Sequence, residues 1–244
     1  MVRAEFQSKR QSEKVIFTPF TAVEVTDPAD GRVDAILDIL SDPNNSRHLI
    51  DFFRERRHVE ARVLDKSGLV HLLAIEDDGC TVVGTATIVD QPQYKTPTGT
   101  INWTDHHFGS FAIRTDLQGT DTAAGRVGTR AFEAVFKWAF EDSRAYGKQI
   151  RDYLRLQTDV SVEGSDRMVR IAKRYGGFQT WAIPGVLRIT HKKTGIVEEH
   201  DGVDYMFAIE DWVDLRRNNR CYSYHIEQHP IPLDVARLVD SRVD

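Results

Sequence analysis

The chain has little of what would hold a small protein together by covalent or metal chemistry. Its 244 residues include two cysteines, Cys80 and Cys221. That is too few for a disulfide framework, and they lack the CxxC spacing of a zinc knuckle. With 16 glycines and eight prolines, collagen-like and low-complexity chains are excluded. Long apolar runs are missing as well. The richest stretch, Ala131 to Ala139, is broken by Glu133 and Lys137, so no membrane span is expected. Residues 1–14 mix both charge signs without an apolar segment, which predicts a loose N-terminal arm and no secretory signal. An excess of positive charge is also lacking: 37 acidic residues outnumber 32 basic ones, for a net charge of -5. This balance argues against bulk nucleic-acid binding and leaves room only for a local basic groove. What is present is 41% hydrophobic residues and 28% charged ones. That composition, at this length, supports a sizeable core, and a soluble, cytoplasmic, globular protein is expected.

Periodicity supplies the elements. Val15 to Val25 alternates weakly and predicts a strand. Asp27, Pro28, Asp30 and Gly31 form a turn and cap, after which Val33, Ile36, Leu37 and Leu40 fall at helical spacing. A second helix is expected after Ser46, with Leu49, Ile50 and Phe53 on one face and the charged run Arg54 to His58 as its solvated end. Val70 to Ile75 and Val82 to Val89 flank an Asp-Gly dipeptide, which predicts a hairpin. Gln91 to Thr100 reads as a loop insertion and Phe108 to Ile113 as the next strand. A long helix covers roughly Gly128 to Ala145. Arg130, Glu133, Lys137, Glu141 and Arg144 make one narrow polar stripe on it, so most of its circumference is buried. Tyr153 to Thr158 is a strand and Ser165 to Tyr175 a helix stopped by Gly176-Gly177. Phe178 to Ile189 and Val203 to Glu210 are strands, and Leu233, Val235 and Leu238 mark a short terminal helix. The order predicts a mixed α/β sheet with an antiparallel front half and a strand–helix–strand crossover in the middle.

The crossover carries the most chemical information. A strand, Phe108 to Ile113, leads through a loop containing Gly125 and Gly128 straight into the long helix. The unpaired amides of a helix's first turn and its positive dipole end favour an anion such as a diphosphate. Glycines let the backbone approach such an anion closely. A plain glycine-rich turn fits the same residues. The loop lacks the Gly-Lys-Ser/Thr ending of a nucleoside triphosphate loop, and its spacing does not match a dinucleotide-binding GxGxxG.

Here the sequence resembles the GNAT family of N-acyltransferases, from the Val82–Val89 strand to the strand holding Asp204 to Ile209. The family pattern is a strand, a Gln/Arg-x-x-Gly-x-Gly/Ala loop, a helix with a Trp-Ala-like pair, a strand, an Asn-initiated helix and a Gly-Phe. Gly128 takes the last loop position, Trp138-Ala139 follows, Leu154 to Thr158 is the strand, and Gly177-Phe178 closes the short helix. The resemblance implies a mostly antiparallel central sheet with helices on both faces. It also implies acetyl-CoA, or another short acyl-CoA, as co-substrate, with no metal. Ala112, Ile113 and Arg114 would lie beside pantetheine, and Gly125, Arg126, Val127, Gly128, Thr129 and Arg130 around the pyrophosphate. Several positions depart from the pattern. Arg126 stands at the first family glycine, Ala123 at the Gln/Arg position and Ser165 at the usual Asn. The loop is about five residues longer, a change that loops tolerate. The family's frequent general-acid Tyr falls near Ala172 or Lys173.

Transfer to an amine requires a neutral nucleophile placed against the thioester. His106 and His107 on the incoming strand are candidate bases. His107 is favoured, on the same strand parity as Gly109, Phe111 and Ile113. Tyr175, just beyond the family's Tyr position, is the candidate acid for the leaving thiolate. Surface histidine and core tyrosine are the structural readings of the same two residues. Arg167, Arg170, Lys173 and Arg174 are either a solvated face or a contact for the 3′-phosphate of CoA. His225 and His229 have i, i+4 spacing but no evident third ligand, and Cys221 carries no mark of a nucleophile. Three divisions are expected: an arm at 1–14, an acyltransferase domain at 15–210 and an extension at 211–244 that packs on it. The acceptor is an amine of unspecified class, with no membrane partner; nucleic acid is not favoured, and a homodimer is compatible with the excess length. A nucleobase- or tRNA-modifying enzyme and a non-catalytic CoA-binding module are the alternatives.

Overall fold

A computed structural model describes residues 18–46, 55–65, 67–77, 81–90, 93–96, 99–102, 106–118, 127–143, 151–159, 165–190 and 197–242. In chain order, β1 is Thr21–Glu24, α1 Gly31–Ser41, α2 Pro43–Ser46, α3 Arg56–Val63, β2 Val70–Asp77 and β3 Thr81–Asp90. Next come β4 at Gln93–Thr96, β5 at Gly99–Asn102, β6 at His106–Ile113, α4 at Val127–Phe140 and β7 at Tyr153–Asp159. The remainder is α5 at Ser165–Arg174, β8 at Phe178–Thr190, β9 at Val197–Ala208, α6 at Ile209–Arg217 and α7 at Leu233–Asp240.

Seven strands form one sheet in the order β1-β2-β3-β6-β7-β9-β8. All neighbours are antiparallel except β6 and β7, which are joined by the α4 crossover. This is the mixed sheet expected from the element order and the mostly antiparallel one that the resemblance implies. Leu73, Ile75, Ala86, Ile88, Phe108, Leu154 and Leu156 pack with α4 on one face. Leu72, Ala74 and Ala112 pack with Val33, Ile36, Leu40 and Val59 of α1 and α3 on the other.

Several local expectations change. The run Arg56 to His58 opens α3 instead of ending a helix, after Glu55 in extended conformation. Leu49, Ile50 and Phe53 lie outside the described residues. The Gln91–Thr100 insertion contributes to a two-stranded ribbon, β4 with β5. Helix α6 begins directly where β9 ends, with no side-chain cap on Ala208, so no punctuation separates the two in the sequence.

The polar stripe of α4 is buried. Arg130, Glu133 and Glu141 are all inside, because the residues after β9 fold back along it. Glu133 accepts the backbone N–H groups of Tyr222 at 2.6 Å and Ser223 at 3.0 Å. Glu141 accepts Trp212 Nε1–H at 2.8 Å and pairs with Arg216.

Candidate functional site

The centre of the sheet is opened by one irregularity. On β6, Gly109 faces Thr87 and Ala112 faces Thr85, so Ser110 and Phe111 together oppose the single residue Ala86. Ser110 takes φ 50, and the strand bends there as a β-bulge does. Side-chain parity breaks with it. Phe111 packs 5.6 Å from Phe108 and 5.8 Å from Phe132 on the α4 side. The alternation that would put Phe111 and Ile113 with His107 therefore holds only up to the bulge: Ile113 also joins the α4 cluster.

The bend separates β6 from β7. They pair only at His107↔Arg155 and Phe108↔Leu156, while β7 stays with β9 through Asp159↔Gly202. Beyond that rung the strands splay. Arg114 N–H donates to Val83 O at 2.9 Å; by antiparallel alternation Ala112 also directs its backbone to β3, and Phe111 and Ile113 direct theirs to the opening. Of the three residues expected beside a pantetheine arm, Ile113 thus has its backbone groups on that edge. Ile113 O is held by Asn45 Nδ2 at 2.9 Å and Gln118 Nε2 at 2.7 Å, and Gln118 Nε2 also reaches Asn45 Oδ1 at 2.8 Å. Sequence reading missed both amides, because neither belongs to a recognisable motif. Gly84 makes the approach of β3 and β6 feasible: a Cβ there would lie 2.6 Å from Ile113 Cδ1 and 2.9 Å from Ala112 O.

The first turn of α4 stands next to the opening in the β6–α4–β7 crossover. It holds no acidic residue, and a Cβ at Gly128 would meet nothing within 4 Å. Open space at a helix N-terminus suits a diphosphate, the group an acyl-CoA would place there. Gly125 and Arg126 lie outside the described residues; Val127 is buried and Thr129 half-buried. Arg130 turns away: its guanidinium lies 3.8 Å over the Phe20 ring and bonds Thr18 O, so it anchors the N-terminal strand rather than an anion. Arg114 is likewise committed, with a two-pronged pair to Asp116 at 3.1 and 2.5 Å. Ser165 opens α5.

Tyr175 is 1% exposed, stacks 5.7 Å from Phe132, and donates to Glu133 Oε1 at 2.5 Å. Burial, then the Glu133 charge, holds the phenol far above its ordinary range. Its proton is engaged in the core, so the structural reading of this residue replaces the expected role as acid. Burial similarly raises the Cys221 thiol, leaving no thiolate for attack.

His106 and His107 point to opposite faces. His106 Nδ1 lies 2.8 Å from Asp90 Oδ1, in a network on the α4 side. Asp90 also meets His71 Nε2 at 3.0 Å and takes both prongs of Arg151 at 2.8 Å, while His71 Nδ1 reaches Glu24 at 2.8 Å. Hydrogen bonds from His106, His71 and Arg151 outweigh burial and hold Asp90 well below the carboxylate range. His107 shares its rung with Arg155 on the other face. Burial first, and Arg155 second, push its imidazole down to about 4. It is therefore neutral at pH 7.

A cavity of about 700 Å³ lies beside α1, lined by Arg32, Asp38, Asp42, Glu76, Val82 and Arg114 among others. Among the described residues no group of three or more His, Cys, Asp or Glu could hold a metal ion, and no helix is long and apolar enough to cross a membrane.

No family model and no curated protein matches the sequence. Solved structures do. A chimera of the Vibrio cholerae spermidine N-acetyltransferase SpeG with hSSAT aligns with 81% of this chain and 99% of its own, at 10% identity and TM-score 0.56. A protein from Acinetobacter baylyi assigned as an acetyltransferase aligns over 79% and 94%, at 16% identity and TM-score 0.53. An assigned phosphinothricin N-acetyltransferase aligns over 78% and 98%, at 13% identity and TM-score 0.50. At these identities the likeness is one of fold.

Proposed function

We propose that this chain, whose fold is that of the GNAT acetyltransferases, moves an acetyl or other short acyl group from acyl-CoA to an amine. One observation carries the reading: β6, bent by the bulge at Ser110, leaves β7 after two paired residues and opens beside the first turn of α4, which holds no acidic residue. Such an opening offers a strand edge for the two amides of pantetheine and helix amides for the pyrophosphate. The similar structures are N-acetyltransferases by name in two of the three cases, which supports an amine as acceptor.

The residues divide the work as follows. Phe111 and the N–H of Ile113 present backbone groups to the pantetheine arm and orient the thioester, while the Ile113 carbonyl stays with Asn45 and Gln118. The N–H groups of Gly128 and Thr129 receive the diphosphate. A backbone N–H of the splayed strand stabilises the oxyanion that develops as the amine adds. His107, neutral at pH 7, accepts the proton that the attacking amine gives up, directly or through one water. The C–N bond forms, the C–S bond breaks, and the departing thiolate takes up the proton carried by His107, directly or through water, and leaves as the free thiol.

Thiol release from acetyl-CoA, measured with a panel of small amines, peptides and nucleic acids, tests this. Turnover with at least one amine is expected, with a 10²–10⁴-fold loss in His107→Gln, the usual weight of general-base help. Thiol release with no acceptor in the panel would contradict the enzymatic reading, and turnover on nucleic acid alone would favour the base-modifying alternative.

A further inference from the structure

Beyond Phe108↔Leu156 the edge of β6 that faces β7 carries no further pairing among the described residues, yet its last carbonyl is not left open. In a continuous parallel pair a backbone N–H of β7 would take the Ile113 carbonyl. Here two side-chain amides replace it, Asn45 Nδ2 at 2.9 Å and Gln118 Nε2 at 2.7 Å. Asn45 is buried within α2, and its Nδ2 also donates to Ile39 O at 2.9 Å. That carbonyl belongs to the last turn of α1, and the residue four places on is Pro43, which has no N–H to offer. Asn45 Oδ1 in turn accepts Gln118 Nε2–H at 2.8 Å. The amide of Asn45 can be seated only this way round, because a flipped one would set its oxygen against two carbonyls. Capping α1 needs one N–H and no second residue. The remaining bonds go to a strand edge whose partner has turned away.

We infer that Asn45 and Gln118 are positioning residues for acyl-CoA, holding the end of β6 so that Ile113 offers its N–H, and not its carbonyl, to the pantetheine arm. The inference rests on the reading of the opening as the acyl-CoA site. With that carbonyl occupied, the polar groups left on the edge are those of Phe111 and the N–H of Ile113. An extended ligand then finds its donors and acceptors matched in one register, which fixes how far the thioester reaches along the strand. The same bonds serve the empty site. A buried carbonyl without a donor would draw β7 back across the opening, whereas a satisfied one leaves the edge ready for the ligand.

The test joins calorimetric titration of full-length variants with acetyl-CoA to thiol-release kinetics. Gln118 is exposed, so Gln118→Glu should fold while exchanging the shared donor for an acceptor. Its affinity for acetyl-CoA should fall about tenfold. KM for acetyl-CoA should rise alike, with kcat and the KM of the amine within about twofold of the parent. Asn45→Asp keeps the shape, removes both N–H donors and should weaken binding further; if it does not fold, Gln118→Glu decides alone. The loss should recur with S-acetylpantetheine, which has the arm without the diphosphate. A merely structural role would lower the urea midpoint and leave the affinity of folded Gln118→Glu unchanged, and that result overturns the inference. A fall in kcat with KM for acetyl-CoA unmoved, or a loss seen with acetyl-CoA but not with S-acetylpantetheine, overturns it too. Absence of binding by the parent chain removes the acyl-CoA reading and the inference with it. Parent binding with equal affinity in Gln118→Glu removes the inference alone.

Discussion

A methyl group added at Gly177 would lie 2.5 Å from Phe207 Cε1 and 2.9 Å from Ala172 O, inside the turn that ends α5. Neither neighbour is the loose end of a flexible chain. Gly177→Ala should therefore destabilise by about 1–3 kcal/mol in urea unfolding. At Gly31 the same methyl meets nothing within 4 Å, so Gly31→Ala should leave the midpoint unchanged or slightly raised. The same scale governs proton linkage at His107, whose folded value is about 4 against an ordinary 6.5. As pH falls through that window the unfolded chain takes up the proton first, so the folded state loses stability between pH 6.5 and 4. His107→Gln should flatten that part of the stability profile. A profile as steep as that of the parent chain would show that the imidazole is not held neutral.

At the scale of elements, α4 shows how a polar residue can be read correctly for spacing and wrongly for surroundings. Its 3.6-residue period was visible in the sequence, and so was the nearly complete apolar wrap. The partners of its polar stripe were not, because Tyr222 and Ser223 reach Glu133 from about 90 residues downstream, and periodicity carries no information at that range. The same limit hid the bulge on β6. Its left-handed residue is Ser110, not a glycine or asparagine that would have marked it. Hairpin, crossover and terminal helix all announced themselves through local signals, whereas α6 did not. Glu133→Ala should leave the Tyr175 hydroxyl and two backbone N–H groups without their acceptor, at about 1–3 kcal/mol for each group left buried. Limited proteolysis should then cut more readily around residues 221–225. Unchanged cleavage and stability would mean that this strip is not held by α4.

Taken as a whole, the molecule is a sheet with a rigid half and an opened half. In the rigid part, Glu24, His71, Asp90, His106 and Arg151 link β1, β2, β3, β6 and the entry to β7 in spatial order. Arg151 is 1% exposed. Asp90→Asn would strand its guanidinium, so a loss of about 3–5 kcal/mol in global unfolding is expected. Asp90's depressed value adds stability above the ordinary 3.8 that fades as pH falls below it, and the asparagine variant should lack that acid sensitivity. A sheet clamped along one line can open beside it without coming apart. The glycines and the Trp-Ala pair marked the crossover in the sequence. The bulge, Asn45 and Gln118, which shape it, emerged only once distant segments were brought together. The most direct measurement of the account is calorimetric titration of the full chain with acetyl-CoA. It predicts saturable binding at one site per chain, abolished by Gly128→Trp, whose side chain would fill the space beside α4 while the fold persists. Absence of heat with the parent chain, or equal affinity in the folded Gly128→Trp variant, would contradict it.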